Sequence, residues 1–188
     1  MPDQNEVQND PSQIDYSDMV RKLAKTGAAI LPTLTAEDCH LIHMIFGIVG
    51  EYDELLCRSG RDNTVEELGD LEFYCEGLRQ LFNLKYEDVQ KLPVVTPTRG
   101  CLHVISGAMS KITDLAKKPL IYRKEMDKDG MLNALRELEF GINAFRDIEG
   151  ITRDECLLAN KVKLAQRYSG FQYSDAAAQA RADKPAGE

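Results

Sequence analysis

The sequence predicts an all-α helical bundle, and three observations lead there. Apolar residues recur at spacings of three and four through long windows, Thr-x-x-acid capping signals open two of those windows, and strand-period alternation is weak throughout. With 188 residues, 43% of them hydrophobic, the chain has enough apolar material for one core, expected to span residues 15–183 as a single domain.

In chain order, a short helix is expected over about 18–25, stopped at Gly27. Thr35 with Asp38 reads as a capping box opening a long helix over about 36–59, because the hydroxyl and the acid satisfy each other's backbone N–H groups. That helix should stop at Gly60, and Asn63 with Glu66 caps a second one to about Phe82. A brief helical turn near 86–91 ends at Pro93. Pro93 and Pro97 then bracket a break, since proline lacks the amide hydrogen that a helix interior uses. A third long helix over about 98–117 is expected to bend or end at Pro119. Further helices follow over about 130–148 and, behind the capping box Thr152 and Glu155, over about 153–168. Long helices joined in this way pack as a bundle.

The bundle reads as two diverged tandem copies of a helical-hairpin unit, over about 36–92 and 98–170. Gly47, Glu51, Glu54 and Leu55 correspond, sixty positions on, to Gly107, Lys111, Asp114 and Leu115. After a longer connector, Leu68, Leu71, Leu78, Leu81 and Leu84 correspond to Leu135, Leu138, Phe145, Ile148 and Ile151. In that register Glu67 becomes Ala134 and Asp70 becomes Glu137, so an acidic quartet in the first half degrades in the second.

A net charge of −8 argues against nucleic-acid polymers as partners, whose phosphates need a basic surface. The five cysteines are scattered without CxxC spacing and read as reduced core thiols of a cytoplasmic protein. Residues 1–14 are polar and acidic, expected to be disordered rather than a signal peptide, and no apolar run reaches membrane-spanning length. The polar end that begins near Asp183 closes with residues 184–188 as a disordered tail.

The chemistry concentrates in GIVGEYDELLCRSGRDNTVEELGDLEFY. Glu51 with Glu54, and Glu67 with Asp70, are spaced i, i+3, so each pair shares one helical face. At roughly 1.5 Å rise per residue, Glu54 and Glu67 lie about 6 to 8 Å from the hairpin turn and Glu51 and Asp70 about 10 to 14 Å, so all four can face one another. Glu67 heads the seam Leu71, Tyr74, Leu78 and Leu81, while Glu66, Glu72 and Glu76 fall on the other side as solvated acids. Glu51 interrupts the stripe Leu41, Met44, Ile48 and Leu55. Unpaired buried carboxylates cost several kcal/mol each, and a divalent cation relieves both burial and repulsion. Oxygen ligands with no Cys or His nearby suit Mg²⁺, or Mn²⁺, whose remaining ligands come from a substrate's phosphates.

Glu51-x-x-Glu54, twelve residues, then Glu67-x-x-Asp70 within EELGD resembles the metal motif of the MazG-like all-α nucleoside triphosphate pyrophosphohydrolases, relatives of dimeric dUTPases and phosphoribosyl-ATP pyrophosphohydrolases. AKKPLIYRK is similar to a lysine-rich connector of long members. Asn160 to Tyr168, then Phe171 and Ala176 to Arg181, resembles their closing segment. The resemblance implies hydrolysis of a nucleoside triphosphate to monophosphate and pyrophosphate, with Mg²⁺ held by Glu51, Glu54, Glu67 and Asp70. It also implies nucleotide contacts from Asn160, Lys163, Arg167 and Tyr168, and a tight dimer that the two halves are expected to mimic, with further homodimerisation expected. Asn160, Lys163 and Arg167 share one helical face at i, i+3, i+7, offering an amide and two cations. Lys111 either neutralises substrate phosphate or pairs with Asp114, and Lys117 and Lys118 read as solvated.

His40 and His43 lack the partners of a zinc site, and Gly47, Gly50 and Gly69 form no phosphate loop and read as close helix packing. The alternatives to an enzyme are a nucleotide-binding or sensing protein and a structural helical interaction protein.

Overall fold

The computed structural model describes residues 14–89 and 98–183, and among them all regular structure is helical. The expected disordered ends and the Pro93–Pro97 break lie outside the described residues, apart from Ile14. Residues through Leu34 form one compact unit and those from Thr35 another, so a boundary falls at the N-cap of the first long helix, within the span expected as one domain.

In the first unit, α1 (Tyr16–Leu23) is capped by Asp15, which accepts from the Asp18 N–H (2.8 Å), and α2 (Gly27–Ile30) by Thr26. The second unit contains α3 (Ala36–Leu56), α4 (Gly60–Leu81), α5 (Tyr86–Val89), α6 (Thr98–Tyr122), α7 (Lys128–Glu149), α8 (Arg153–Arg167) and α9 (Asp175–Ala180). Both expected capping boxes form, at Thr35–Asp38 and Thr152–Glu155. α3 and α4 make one hairpin and α6 and α7 another; α3 packs on α6, α5 on α7 and α8 on α4. The core follows the predicted spacing, with Leu41, Met44, Ile48 and Leu55 of α3, Leu68, Leu71 and Leu78 of α4, and Leu135, Leu138 and Phe145 of α7 all buried. On α6 the buried residues are Cys101, Ile105, Ala108, Ile112, Ala116 and Leu120. No described helix is long and apolar enough to cross a membrane.

α6 continues through Pro119 instead of ending before it. The missing proline amide falls in the last turn, and Arg123, in left-handed backbone (φ 59°), donates to the Pro119 carbonyl (3.1 Å) while Lys124 donates to that of Lys118 (3.3 Å). The first of these is the 5→1 bond of an αL cap, and it closes the helix end.

Glu72, read from the sequence as solvated, is buried, because three guanidinium groups converge on it. Arg79 Nη2 donates to Glu72 Oε1 (2.6 Å), Arg146 of α7 to Oε2 (3.3 Å) and Arg153 of α8 to Oε1 (2.5 Å). Arg79 is itself wholly buried and also holds Glu139 of α7, an ion pair that locks one hairpin to the other. Burial works against the charge on Glu72, but the Arg153 hydrogen bond and the charges of Arg79 and Arg146 hold its carboxyl below the usual range. Glu139, with its Oε2 unpartnered, is pushed up to about 7 by burial and by the adjacent Glu72 charge.

Glu139 and Arg146 stand sixty-seven positions after Glu72 and Arg79, the offset read for the two halves. The same offset relates the left-handed residues Asn83 (φ 53°) and Gly150 (φ 63°). It also relates the bonds from Leu84 N–H to the Arg79 carbonyl (2.8 Å) and from Ile151 N–H to that of Arg146 (2.9 Å). The N-terminal caps of α5 and α8, Lys85–Asp88 and Thr152–Glu155 (2.8 Å each), repeat it again.

Replacing Arg79 by Ala leaves two buried carboxylates short of their partner. It should cost about 3–5 kcal/mol in denaturant unfolding, whereas Lys111→Ala, which removes an exposed pair, should cost under about 1 kcal/mol.

Candidate functional site

The acids gather at the turn end of the α3–α4 hairpin. Gly60 takes a positive φ (75°), which lets the chain reverse within three residues, and α4 starts there with Ser59 as N-cap. Asn63, expected as the N-cap, lies inside the first turn instead. Its Oδ1 accepts from the Ser59 N–H (2.8 Å), and its Nδ2 donates to Glu67 Oε1 (2.6 Å). One amide thus closes the helix start and fixes the Glu67 carboxylate.

Oxygen atoms of Glu51, Glu54 and Glu67 lie within 4.8 Å of one another. Glu67 Oε2 is buried without a hydrogen-bond partner. Burial, followed by the charges of Asp70, Glu54 and Glu67, pushes Glu51 up to about 7 against the opposing pull of Lys163. Glu67 is also raised, by burial first, with the Asn63 hydrogen bond acting against it and the Glu54 and Asp70 charges adding to it. Three carboxylates this close, two of them resisting ionisation, make a site whose missing component is positive charge.

Asp70 stands apart from that trio. It accepts from Asn160 Nδ2 (2.7 Å) and is ion-paired to Lys163, whose ammonium also donates to Glu66 (3.0 Å), an acid read from the sequence as solvated. Burial opposes the Lys163 charge, yet the bonds to Asp70 and Glu66 raise its pKa overall. Gly69 makes these contacts possible: a Cβ there would sit 2.6 Å from the Cys156 carbonyl oxygen and 3.1 Å from Asn160 Cβ. Gly47 likewise admits the Tyr74 ring against α3, while Gly50 has open space around it, so close packing accounts for the first two glycines and not for the third. Of the five thiols, Cys75, Cys101 and Cys156 are buried as expected, and Cys39 and Cys57 are exposed.

The acids open into a cavity of about 780 Å³ between α3, α4, α8 and the segment after it. Asn160, Lys163, Arg167 and Tyr168, the expected ligand-binding residues, all line it. Its aromatic walls are His43, Phe73 and Tyr74 on one side and Tyr168, Phe171 and Tyr173 on the other. His43 meets the edge of Tyr74 (5.9 Å between centroids), and Tyr168 leans on Tyr173 (5.8 Å). Six carboxylates and three Lys or Arg side chains face the space. A polyanion therefore enters favourably only with a cation of its own.

Lys111 is not among the lining residues. It sits on α6, ion-paired to Glu137 (2.5 Å), while Asp114 pairs with Lys118 (3.7 Å). In the register expected from the sequence for two halves, Lys111 and Glu137 fall sixty and sixty-seven positions after Glu51 and Asp70.

Sequence reasoning missed Asp183, which carries no motif and lies where the chain reads as an end. Its side chain is fully buried on Arg167, with Nε to Oδ1 at 2.6 Å and Nη2 to Oδ2 at 2.5 Å. The Arg167 hydrogen bond lowers the Asp183 carboxyl to about 2. No protein-family model matches the chain, and no curated protein or solved structure is significantly similar to it.

Gly69→Ala should force α8 away from α4 and lower unfolding stability by about 1–3 kcal/mol, read from a denaturant midpoint. The raised carboxyls set a pH dependence. The folded state holds the Glu51 proton to about 7 and an unfolded carboxyl releases it near 4.5, so this group's contribution to stability in metal-free buffer falls as pH rises across that window. Glu51→Gln should flatten that slope in thermal melts run from pH 4.5 to 7.

Proposed function

We propose that this chain is a Mg²⁺-dependent nucleoside triphosphate pyrophosphohydrolase of the MazG-like kind, cleaving between the α and β phosphates to give a nucleoside monophosphate and pyrophosphate. The observation that carries the reading is the buried, unpartnered Oε2 of Glu67 beside Glu51 and Glu54. An orphaned carboxylate oxygen in a cluster of like charge is costly unless a cation accepts it. The motif spacing supports the same reading, as does an adjoining cavity with cations at one end and aromatic walls.

Glu51, Glu54 and Glu67 would hold Mg²⁺, with Asp70 joining once it exchanges Lys163. The ion supplies Lewis-acid polarisation of a phosphoryl oxygen and a lower pKa for bound water. Lys163 and Arg167 neutralise phosphate oxygens, and the planar Arg167 fork orients one group through paired N–H bonds. Asn160 keeps the Lys163 end of α8 in register with α4. The aromatic walls accept a nucleobase by stacking and exclude water from the phosphate end. A carboxylate oxygen of the trio not engaged by the ion would take the proton of the attacking water as pyrophosphate departs.

The two hairpins are, in this reading, diverged copies of one unit. The 67-residue offset that relates Glu72, Arg79 and their bonds to Glu139, Arg146 and theirs supports it. The second copy, with Lys111 on Glu137, is then a scaffold that completes the bundle. The Lys163–Asp70 ion pair favours one other reading, nucleotide binding without turnover, because it supplies a resident cation at the motif's fourth acid.

Pyrophosphate release measured over a panel of ordinary, deoxy and modified nucleoside triphosphates, with Mg²⁺ and with Mn²⁺, decides between them. Glu67→Gln should lower turnover of the best substrate by roughly a hundredfold or more, about 3 kcal/mol, while leaving metal-free stability equal or higher. Release from no triphosphate, with retained binding, leaves the sensing reading standing.

A further inference from the structure

The α8 face that borders the acids is masked by this chain's own carboxylates. Asn160 and Lys163 hold Asp70, a member of the acidic motif. Arg167 holds Asp183, which reaches it by a long detour. After α8 the chain reverses through a 3-10 turn (Ser169–Phe171) in which Gly170 and Phe171 both take positive φ, then forms α9. It turns again at Arg181, left-handed at φ 45°, and lays Asp183 on the guanidinium.

Three features make this contact resemble a stand-in for a ligand. The pair is bidentate, two parallel N–H···O bonds, which is the geometry by which arginine binds phosphate. Arg167, Arg181 and Asp183 line the cavity that holds the acids, so the ion pair borders the space a ligand would enter. The segment is held weakly otherwise: α9 has no buried residue, and two non-glycine residues, Phe171 and Arg181, carry left-handed backbone that costs energy. A strained segment with few apolar contacts opens readily.

We propose that residues 174–183 form an autoinhibitory latch, in which Asp183 occupies on Arg167 the place of a ligand's phosphate group and leaves when that group binds. The inference rests on the reading of Arg167 as a phosphate-binding residue. A polyphosphate carries more charge than one carboxylate and displaces it, and its apparent affinity is lower by the population of the open state. A clamp that instead held the segment over bound ligand would act with the opposite sign.

The test is calorimetric titration of the full-length chain with inorganic pyrophosphate in Mg²⁺ buffer, comparing wild type, Asp183→Asn, Asp183→Glu and Arg167→Gln, with hydrogen exchange followed over residues 174–183. Asp183→Asn should bind about three- to tenfold more tightly than wild type. Asp183→Glu should restore the wild-type affinity, Arg167→Gln should bind more weakly, and pyrophosphate should speed exchange in the segment. Equal or weaker binding by Asp183→Asn, or slower exchange with ligand, overturns the latch while phosphate binding stands. Unchanged binding by Arg167→Gln, or no binding by any of the four proteins, overturns the phosphate reading itself.

Discussion

The buried ionic lattice of Glu72, Arg79, Glu139 and Arg146 is the constraint on which the second unit depends. A helical bundle of this size could meet at a purely apolar seam, which tolerates sliding and repacking. Here the seam has to bring charged groups into hydrogen-bond register, since a guanidinium with no carboxylate within reach would carry a large desolvation cost. Arg79 spans the two hairpins through Glu72 and Glu139, and Arg153 brings α8 onto the same carboxylate. Register between hairpins, and the position of the helix that closes the cavity, are thus fixed by one set of bonds.

The site inherits that register. Glu72 lies on α4 two residues after Asp70, so the helix that presents acids to the cavity on one face presents the lattice on the other. Gly69 lets α8 approach, Asn160 and Lys163 meet Asp70, and Asn63 directs Glu67 toward Glu51 and Glu54. The result is an electrostatic imbalance held in place by rigid elements: carboxylates that resist ionisation at one end, and at the other cations already engaged by acids of the same chain. Preorganisation of this kind is what the proposed function draws on, in which a polyanion arrives with its metal.

Much of the helical layout was legible because periodicity and capping chemistry are local. The two Thr capping boxes and the apolar stripes of α3 and α4 follow from residues three and four apart. Glu51, Glu54 and Glu67 were legible as a cluster because i, i+3 spacing on two helices joined by a tight turn leaves them little choice, whereas Asp70, expected with them, is drawn off by Asn160 and Lys163 of α8. The misreadings are non-local. Glu72 looks solvated until Arg146 and Arg153, more than seventy residues away, are brought to it, and Lys111, read as a phosphate ligand or a partner of Asp114, pairs instead with Glu137. Asn63 fits the N-cap pattern, but the positive φ of Gly60 starts the helix earlier. Asp183 carries no signal at all in a polar chain end, because only tertiary return of the chain gives it a partner.

α8 is fastened unevenly. Near its start Arg153 stacks on the Tyr86 ring (3.8 Å) and binds Glu72, and Cys156, its one fully buried residue, meets Gly69; toward Arg167 the outer side chains Leu158 and Val162 are exposed. Asn160 and Lys163 carry the fastening on to Asp70 and Glu66, whereas the acid on Arg167 comes from the segment that follows α8 and not from α4. The carboxylate floor of the cavity and its aromatic rim are therefore braced by different parts of the chain, so a change in the closing segment alters the rim without disturbing the floor.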